Sequence, residues 1–153
     1  PIGCEAKPMA QKVIEMGLEN VEEYYGSEVM LHYPGLYAGS TDLVCLHNGL
    51  ATIVDFKQSN RPKKIEWIED YYLQASAYAM AHDEVYRSTI RQAVIMICTP
   101  DLYYQEFKIQ DIDLRSYKHK WLKRLDMYHE LKFDEKEQAQ VDVKAEEFEN
   151  GKP

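Results

Sequence analysis

An Asn48-Gly49 pair between two β-rich apolar runs constrains the fold more than any other feature of this sequence. Asn-Gly is the strongest short signal for a two-residue β-hairpin turn, because both positions tolerate the positive φ angles that such a turn requires. If these residues form the loop, the strand register is fixed and Asp42 directly faces Asp55, with Cβ atoms roughly 5 Å apart. Lys57 lies two positions beyond Asp55 and shares its face of the strand. The sequence therefore predicts two carboxylates and one ammonium at one end of the hairpin.

Both faces of the predicted hairpin are apolar. The face that carries the two aspartates also carries Val44, Leu46, Ala51 and Ile53. The opposite face carries Leu43, Cys45, Val54 and Phe56. A strand pair covered on both sides is typical of the central strands of layered α/β domains. Two carboxylates at the end of such strands must share a proton, pair with a base or hold a cation.

The Asp42, Asp55 and Lys57 triple has two interpretations. The first is a structural Asp–Lys pair with the second aspartate solvated, which is the better explanation of any single acid–lysine pair. The second is a divalent metal site, and the position of all three residues between buried strands favours it. Carboxylate oxygens suit Mg²⁺ or Mn²⁺, which are held by one or two carboxylates while water and substrate phosphate fill the remaining positions.

Three ordered segments around this triple carry a family resemblance. They are Gly39-Ser40-Thr41-Asp42, Ile53-Val54-Asp55-Phe56-Lys57-Gln58-Ser59 and Gln74-Ala75-Ser76-Ala77-Tyr78. In this order they resemble the PD-(D/E)xK nuclease superfamily, and within it the RecB-type exonucleases. The most similar branch is that of phage exonucleases related to the mitochondrial genome maintenance exonuclease. An Asp…Asp-x-Lys triple alone is a weak signal, but Gly-x-x-Asp before it and Gln-x-x-x-Tyr after it make the pattern specific.

The resemblance implies a role for each residue of the triple. Asp42 and Asp55 would ligate the metal together with the backbone carbonyl of Phe56, and Lys57 would orient or activate the attacking water. These roles agree with the chemistry, because phosphodiester hydrolysis needs an activated water and neutralisation of charge on the phosphate. Glu28 opens an apolar run where related nucleases often place another acid. It is either a further metal ligand through water or a solvated residue at the start of a strand.

Gln74 and Tyr78 stand four residues apart and share a helix face with Trp67 and Tyr71. Such an aromatic stripe is typical of packing, but Gln74 is discordant because a buried amide needs a hydrogen-bond partner. The resemblance implies that this helix borders the metal site, that Gln74 belongs to the catalytic set, and that Gln74 and Tyr78 contact the DNA strand. Aromatic residues on this face are also able to stack on unpaired bases, which is worth about 1–3 kcal/mol per base.

The net charge of −8 is unusual for a protein that binds DNA, and half of it is localised. Residues 134–153 contain seven acidic and three basic residues. The polarity of this segment and its lack of apolar periodicity predict a solvated or disordered acidic tail. Residues 1–133 are then expected to form the nuclease core domain.

Positive charge is concentrated in two short groups. The first follows the Lys57 strand and supplies, with a nearby serine, the candidate DNA-binding residues Ser59, Arg61, Lys63 and Lys64. The second lies within residues 115–124, where the solvated face of a helix is the better interpretation. This distribution favours narrow contact with one strand over broad contact with duplex DNA.

The order of elements predicts a mixed β-sheet flanked by helices. Helices are expected at residues 8–24, 65–81 and 113–131, the first starting at Pro8. Strands are expected at residues 28–33, 37–46, 51–57, 92–98 and 102–109, the last as an edge strand. This α/β arrangement matches the restriction-endonuclease-like core that the resemblance implies.

Composition argues against several protein classes. An apolar content of 45% in 153 residues suits one domain with a real core. No signal peptide and no apolar run of roughly 20 residues is present, so we expect a cytoplasmic protein without membrane contact, in the bacterial host if the gene is phage-encoded. The three scattered cysteines, Cys4, Cys45 and Cys98, predict reduced thiols and argue against the four-cysteine iron–sulfur cluster of some RecB-type relatives. Zinc is not expected either, because the histidines and cysteines lack ligand spacing.

The sequence departs from the family at one point. Family members carry an upstream helix with an Arg-Gly-x-x-x-His-like stretch, and nothing before Asp42 matches it. The chain begins at Pro1, so we expect a fragment or a cleaved or truncated form of a longer exonuclease.

The resulting prediction is a Mg²⁺-dependent DNA exonuclease of phage origin that prefers single strands or strand ends. Exonuclease action comes from the resemblance alone. One alternative is a structure-specific endonuclease on the same core. Another is a truncated or inactive nuclease-fold module that binds DNA or a partner without cutting, although the intact triple of Asp42, Asp55 and Lys57 speaks against it.

Overall fold

The computed structural model of the chain describes the backbone of residues 3–151 and the side chains of residues 7–147, 150 and 151. Within this range, three α-helices and five β-strands follow in the order α1 (Gly3–Gly17), β1 (Val21–Tyr33), β2 (Tyr37–His47), β3 (Leu50–Gln58), α2 (Glu69–Tyr86), β4 (Gln92–Cys98), β5 (Tyr104–Gln110) and α3 (Asp111–Asn150). Short 3-10 turns precede β1 and α2, at Leu18–Asn20 and Ile65–Trp67.

The five strands form one mixed sheet in their chain order, β1-β2-β3-β4-β5. β3 and β4 run parallel, and the other three neighbouring pairs are antiparallel. A parallel pair requires a crossover connection, which α2 provides between β3 and β4. The predicted α/β class with a mixed sheet between helices is confirmed, and so is the edge position of β5.

The β2–β3 hairpin has the register that the Asn48-Gly49 turn predicts. His47 pairs with Leu50 at the turn, and the ladder continues as far as Leu43 opposite Val54. Asn48 and Gly49 have φ angles of 48° and 77°, the positive values that a two-residue turn of this kind needs. The argument that placed Asp42 against Asp55 is therefore supported at the level of the backbone.

Each face of the sheet is covered by different helices. α2 and α3 cover one face, where the core comprises Val44, Ile53, Ile68, Tyr72, Ala75, Ala79, Ile90, Ala93, Ile95, Ile97, Ile109 and Leu114. α1 covers the other face, where Val13 and Leu18 pack against Leu43, Cys45, Val54, Val94 and Met96. Asp55 alternates with Val54 and so lies on the α2 face, where it is only 4% exposed. The helix α2 therefore forms one wall around the Asp55 carboxyl.

Two cysteines lie in central strands as buried free thiols, Cys45 and Cys98. Burial raises the pKa of the Cys45 thiol to about 11, so at neutral pH it is protonated and unreactive. The side chain of Cys4 lies outside the described residues.

The first helix and strand differ from the predicted bounds. A helix starting at Pro8 and reaching Tyr24 is wrong, because α1 begins at Gly3, ends at Gly17 and contains Pro8 in its interior. A Cβ on Gly17 would lie 2.6 Å from Met96 Sδ and 2.7 Å from the Tyr104 hydroxyl. The chain therefore packs closely onto the sheet there, and the residues from Val21 onward lengthen β1 instead of the helix.

The other two helices also differ from the predicted bounds. The segment predicted as the start of the second helix forms the Ile65–Trp67 turn, and α2 then runs to Tyr86. α3 continues to Asn150 and so includes most of the acidic segment for which a solvated or disordered tail was expected. It contains no Gly or Pro before Asn150 and is rich in Glu, Lys, Gln and Ala, which are good helix formers. Its side chains from residue 134 to 147 are all exposed, as expected of a solvated segment. No helix in the described range, α3 included, combines the length and apolar character needed to cross a bilayer.

Candidate active site

The candidate site begins where β2 and β3 stop pairing. Beyond Leu43 and Val54, side chains replace the main-chain ladder. Asp42 Oδ2 accepts a hydrogen bond of 2.7 Å from the Phe56 N–H, and Thr41 Oγ1 donates one of 3.3 Å to the Val54 carbonyl. These bonds fix the Asp42 carboxyl against the backbone that carries Asp55 and Phe56.

Asp55 is a nearly buried carboxyl in contact with the Lys57 ammonium. Lys57 Nζ lies 2.9 Å from Asp55 Oδ2 as an ion pair. No hydrogen bond from any other described residue to this oxygen accompanies the ion pair. The pKa of Asp55 is raised to about 6, chiefly by burial and next by Asp42, while the Lys57 ammonium lowers it. The site therefore holds more negative charge than Lys57 compensates, as a cation site does.

Gln74 and two tyrosines of α2 hold Lys57 in place. Gln74 Oε1 accepts a hydrogen bond of 3.1 Å from Lys57 Nζ, and Gln74 Nε2 donates one of 3.0 Å to the Tyr78 hydroxyl. Lys57 Nζ also lies 5.2 Å from the centre of the Tyr71 ring. Burial alone would lower the pKa of Lys57, but its contact with Asp55 raises it, so the ammonium keeps its proton. Gln74, the polar member of the aromatic stripe, thus has one hydrogen-bond partner for its amide oxygen and one for its amide nitrogen.

Tyr78 rests on Gly39 of β2. A Cβ at this position would lie 2.6 Å from Tyr78 Cε1 and 3.0 Å from the Tyr78 hydroxyl, so only glycine fits beneath the ring. The Gly-x-x-Asp and Gln-x-x-x-Tyr segments of the sequence are therefore in direct contact. Together they form a continuous path from Gly39 through Tyr78 and Gln74 to Lys57.

The candidate DNA-binding residues after β3 lie in one loop. Residues 58–63 and Trp67 line a cavity of about 380 Å³. Ser59 Oγ donates a hydrogen bond of 2.6 Å to the Arg61 carbonyl and shapes the turn. The Lys64 ammonium lies 5.3 Å from the centre of the Trp67 ring. The structure thus places Ser59, Arg61, Lys63 and Lys64 together, directly after the strand that carries Lys57.

Gln105 of β5 anchors this loop, although the sequence did not single it out. Its Oε1 accepts a hydrogen bond of 2.7 Å from the Lys63 N–H, and its Nε2 donates one of 2.9 Å to the Lys63 carbonyl. This pair of bonds joins residues 42 positions apart. No local sequence pattern predicts such a contact. The only indication in the sequence is the Gln105 amide itself, a polar side chain in an edge strand.

Glu28 is not brought into the cluster. Its neighbours Ser27 and Val29 pair with Leu43 and Thr41, so its backbone lies across from Asp42. However, Glu28 has a φ of 49° and its side chain is exposed. Among the described residues, no three Asp, Glu, His or Cys side chains converge as metal ligands. The structure therefore brings two carboxylates together, and Mg²⁺ is commonly bound by one or two carboxylates.

Three of the five cations in the second basic group are paired with carboxylates of α2. The pairs are Lys118–Asp83 at 3.4 Å, Lys120–Glu69 at 3.1 Å and Arg124–Asp70 at 2.9 Å. They join α3 to α2 and neutralise part of the positive charge on this surface. This agrees with the interpretation of the group as the solvated face of a helix.

Comparison with known proteins finds exonucleases among the similar chains. No protein-family model matches the chain. Human mitochondrial genome maintenance exonuclease 1 is 35% identical over 100 residues, which are 63% of this chain and only 29% of that protein. The crystal structure of a candidate exonuclease from Eubacterium rectale covers 80% of this chain and 49% of its own, with a TM-score of 0.57 and 14% identity. An alkaline exonuclease from Laribacter hongkongensis covers 92% of this chain and 73% of its own, with a TM-score of 0.43 and 14% identity. The chain is thus similar in sequence to part of an exonuclease and shares its fold with the Eubacterium protein.

Proposed function

We propose that this chain hydrolyses phosphodiester bonds of DNA with the help of a divalent metal ion, as an exonuclease on single strands or strand ends in phage DNA processing. The cluster of Asp42, Asp55, Lys57 and Gln74 carries the proposal. In it, two adjacent carboxylates face an ammonium that an amide holds in position. The sequence similarity to a human exonuclease supports the same class of reaction.

The residues present fit a Mg²⁺ ion, with Mn²⁺ as a substitute. Asp55 Oδ2 is buried with the Lys57 ammonium as its contact, and burial and Asp42 both raise the pKa of Asp55. A divalent cation would relieve both effects, because it stabilises the charged form of each carboxylate. Asp42, Asp55 and the carbonyl of Phe56 would hold the ion. When bound, Mg²⁺ supplies Lewis-acid stabilisation of the phosphate and lowers the pKa of water.

Lys57 supplies the positive charge of the protein itself at the reacting group. Its ammonium has three N–H donors, of which two are directed at Asp55 and Gln74. The third remains for a phosphate oxygen or for the attacking water. Because Gln74 and the Tyr71 ring fix the ammonium before substrate binds, little reorganisation is needed as charge develops on the phosphate.

The basic loop after β3 would hold the phosphates of the strand. Arg61, Lys63 and Lys64 have no carboxylate within 4.0 Å among the residues that the structure describes. Unlike the paired cations of α3, they retain charge for an external anion. Ser59, Gln74 and Tyr78 would add polar contacts along the same path.

Digestion of three DNA substrates tests the proposed function. Linear single strands, linear duplexes and covalently closed circles are incubated with Mg²⁺, Mn²⁺ or EDTA. We expect loss of linear strands with either metal, sparing of circles, and a rate at least about 100-fold lower in EDTA because the metal supplies most of the stabilisation. Lys120→Ala, which removes a lysine paired on α3, is the matched control for substitutions of Lys57.

The same assay distinguishes the alternatives. Cleavage of closed circles would replace the exonuclease by an endonuclease on the same fold. A folded protein that binds Mn²⁺ in calorimetry but cuts none of the three substrates would contradict the proposed activity. If Asp42→Ala plus Asp55→Ala binds Mn²⁺ as well as the unaltered chain, the metal site itself is refuted.

Gly39→Ala is expected to lower the cleavage rate about 10-fold. The new Cβ would meet Tyr78 at 2.6 Å, so the ring must move and the Gln74–Lys57 contact moves with it. Misplacement of a positioned group by about 1 Å costs up to about 100-fold, and a smaller shift costs less. Single-turnover rates at saturating Mg²⁺ measure the effect. Ser40→Ala, an exposed neighbouring position, is the control, and a Gly39→Ala rate equal to that of Ser40→Ala would contradict the positioning path.

A further inference from the structure

We infer that Trp67 and the loop of residues 58–64 form a subsite for one unpaired DNA nucleotide beside the catalytic cluster, with the base stacked on the indole. The neighbouring phosphates would contact Arg61 and Lys63. This inference rests on the proposed function, because it names the form of DNA that reaches the cluster.

The subsite has the size and the lining of a small-ligand site. Its volume of about 380 Å³ lies within the range of roughly 300–1,000 Å³ for ligand pockets. Six consecutive residues, 58–63, and Trp67 line it. The lining combines polar and cationic residues with one aromatic ring, which match the two parts of a nucleotide, its phosphate and its base.

Trp67 is an exposed aromatic surface beside positive charge. Its side chain is 59% exposed, in the turn that precedes α2. The Lys64 ammonium lies 5.3 Å from the ring centre, within the range of a cation–π contact. A base that stacks on the indole would cover apolar surface and release Lys64 to contact a phosphate.

The loop is held in shape before any ligand arrives. Both main-chain groups of Lys63 are bonded to Gln105, at 2.7 and 2.9 Å. The Ser59 N–H donates a hydrogen bond of 3.4 Å to the Cys98 carbonyl at the end of β4. A loop fixed to two neighbouring strands loses little conformational entropy on binding.

The charge of the loop favours a phosphate chain. Residues 58–68 contain three cations, Arg61, Lys63 and Lys64, and one acid, Glu66. These cations have no ion-pair partner within 4.0 Å in the described part of the chain, whereas Lys120 and Arg124 on α3 do. Along the sequence, these are the first cations after Lys57, and their charge is available to bind a phosphate.

The subsite adjoins the elements that carry the catalytic cluster. Gln58, which lines it, directly follows Lys57 in β3. Trp67 ends the turn just before α2, the helix that carries Tyr71 and Gln74, and the Tyr71 ring contacts Lys57. A base inside a duplex is covered on both faces, so only an unpaired or frayed base can stack on Trp67. The subsite would therefore select single strands and strand ends.

Binding of strands with and without bases tests this inference. The protein carries Asp55→Asn in EDTA, so that no strand is cut, and fluorescence anisotropy follows labelled oligo(dT) and an abasic strand of equal length. We expect Trp67→Ala to weaken oligo(dT) binding about 10-fold, as loss of one stacked base does, and to leave abasic-strand binding unchanged. Trp67→Phe should retain affinity within about 3-fold, because it preserves a ring. Tyr86→Ala, which removes an exposed aromatic at the far end of α2, should change neither affinity.

Two results would overturn the inference. One is oligo(dT) binding by Trp67→Ala that equals that of the unaltered chain. The other is an equal loss for the oligo(dT) and the abasic strand, which would assign Trp67 to folding or phosphate contact. A second measurement uses Trp121→Phe, which leaves Trp67 as the single tryptophan of two. Its fluorescence should be quenched by oligo(dT) and unchanged by a closed duplex, and quenching by neither would also overturn the inference.

These outcomes separate the inference from the proposed function. Base-dependent binding through Trp67 without cleavage in Mg²⁺ would refute the activity and leave the subsite standing. Metal-dependent cleavage with no effect of Trp67→Ala on oligo(dT) binding would refute the subsite and leave the activity standing.

Discussion

Asp55→Asn is expected to lower metal-dependent cleavage by at least about 100–1,000-fold. The substitution keeps the size of the side chain but removes the negative charge that would hold the cation, along with the carboxylate partner of Lys57. Single-turnover digestion of linear single strands at saturating Mg²⁺ measures the loss. Calorimetric titration with Mn²⁺ should show weakened binding in parallel. If the variant lost cleavage but bound Mn²⁺ with unchanged affinity, Asp55 would not be a metal ligand and would have another role in the reaction.

The same substitution is expected to stabilise the metal-free protein above pH 6. The folded-state pKa of Asp55 is about 6 against an ordinary 3.8, so the folded protein binds this proton more tightly than the unfolded chain. That contribution is fully present below pH 3.8 and is lost as the pH rises through about 6, at a total cost of about 2–3 kcal/mol. Asparagine carries no proton and escapes this loss.

Urea unfolding in EDTA at several pH values measures this effect. The advantage of Asp55→Asn in free energy of unfolding should grow as the pH rises from about 4 through about 6 and become constant about one unit above that. Mg²⁺ should reduce the advantage, because it stabilises only the folded protein that keeps the carboxylate. An advantage that does not change with pH would contradict the raised pKa of Asp55.

Lys57→Met is expected to lower the cleavage rate about 100–1,000-fold with a smaller effect on Mn²⁺ affinity. Methionine preserves the apolar stem beside Tyr71 but removes the ammonium that contacts Asp55 and Gln74. The variant leaves a buried carboxylate without its base, so we expect lower stability in EDTA at pH 8 than at pH 5, where Asp55 is largely protonated.

Rate and metal affinity together decide the role of Lys57. Lys120→Met is the control, because Lys120 is a lysine of α3 paired at 3.1 Å with Glu69, away from the cluster. It should leave both quantities unchanged. Cleavage by Lys57→Met at the unaltered rate would show that the ammonium takes no part in the reaction.

The hairpin and the central strands were predictable because their signals are local. The Asn48-Gly49 turn fixes the register, and the observed pairing from His47–Leu50 to Leu43–Val54 follows from it. β4 has the predicted bounds, since a continuous apolar run that ends at a proline leaves few alternatives. The carboxylate pair could be placed because it depends on this register alone.

The remaining features depend on contacts between distant parts of the chain. α1 ends at Gly17 because the sheet side chains Met96 and Tyr104 approach its backbone, and no local pattern shows this. Gly39 and Tyr78 meet only after α2 packs across the sheet. Gln105 of β5 anchors the loop of residues 58–64 through its hydrogen bonds to Lys63. Tertiary packing decides each of these contacts, so sequence periodicity does not reveal them.

The two halves of α3 place different constraints on the sequence. The helix has 40 residues, but its buried positions, Leu114 and Leu125, lie in the first half. Every described side chain from residue 126 to 147 is exposed, so about 30 Å of helix is not covered by any other part of the chain that the structure describes. Substitutions there are limited by helix propensity and solubility, whereas those around Asp55 are limited by packing and charge. The acidic segment is therefore free to diverge in sequence without disturbing the fold or its chemistry.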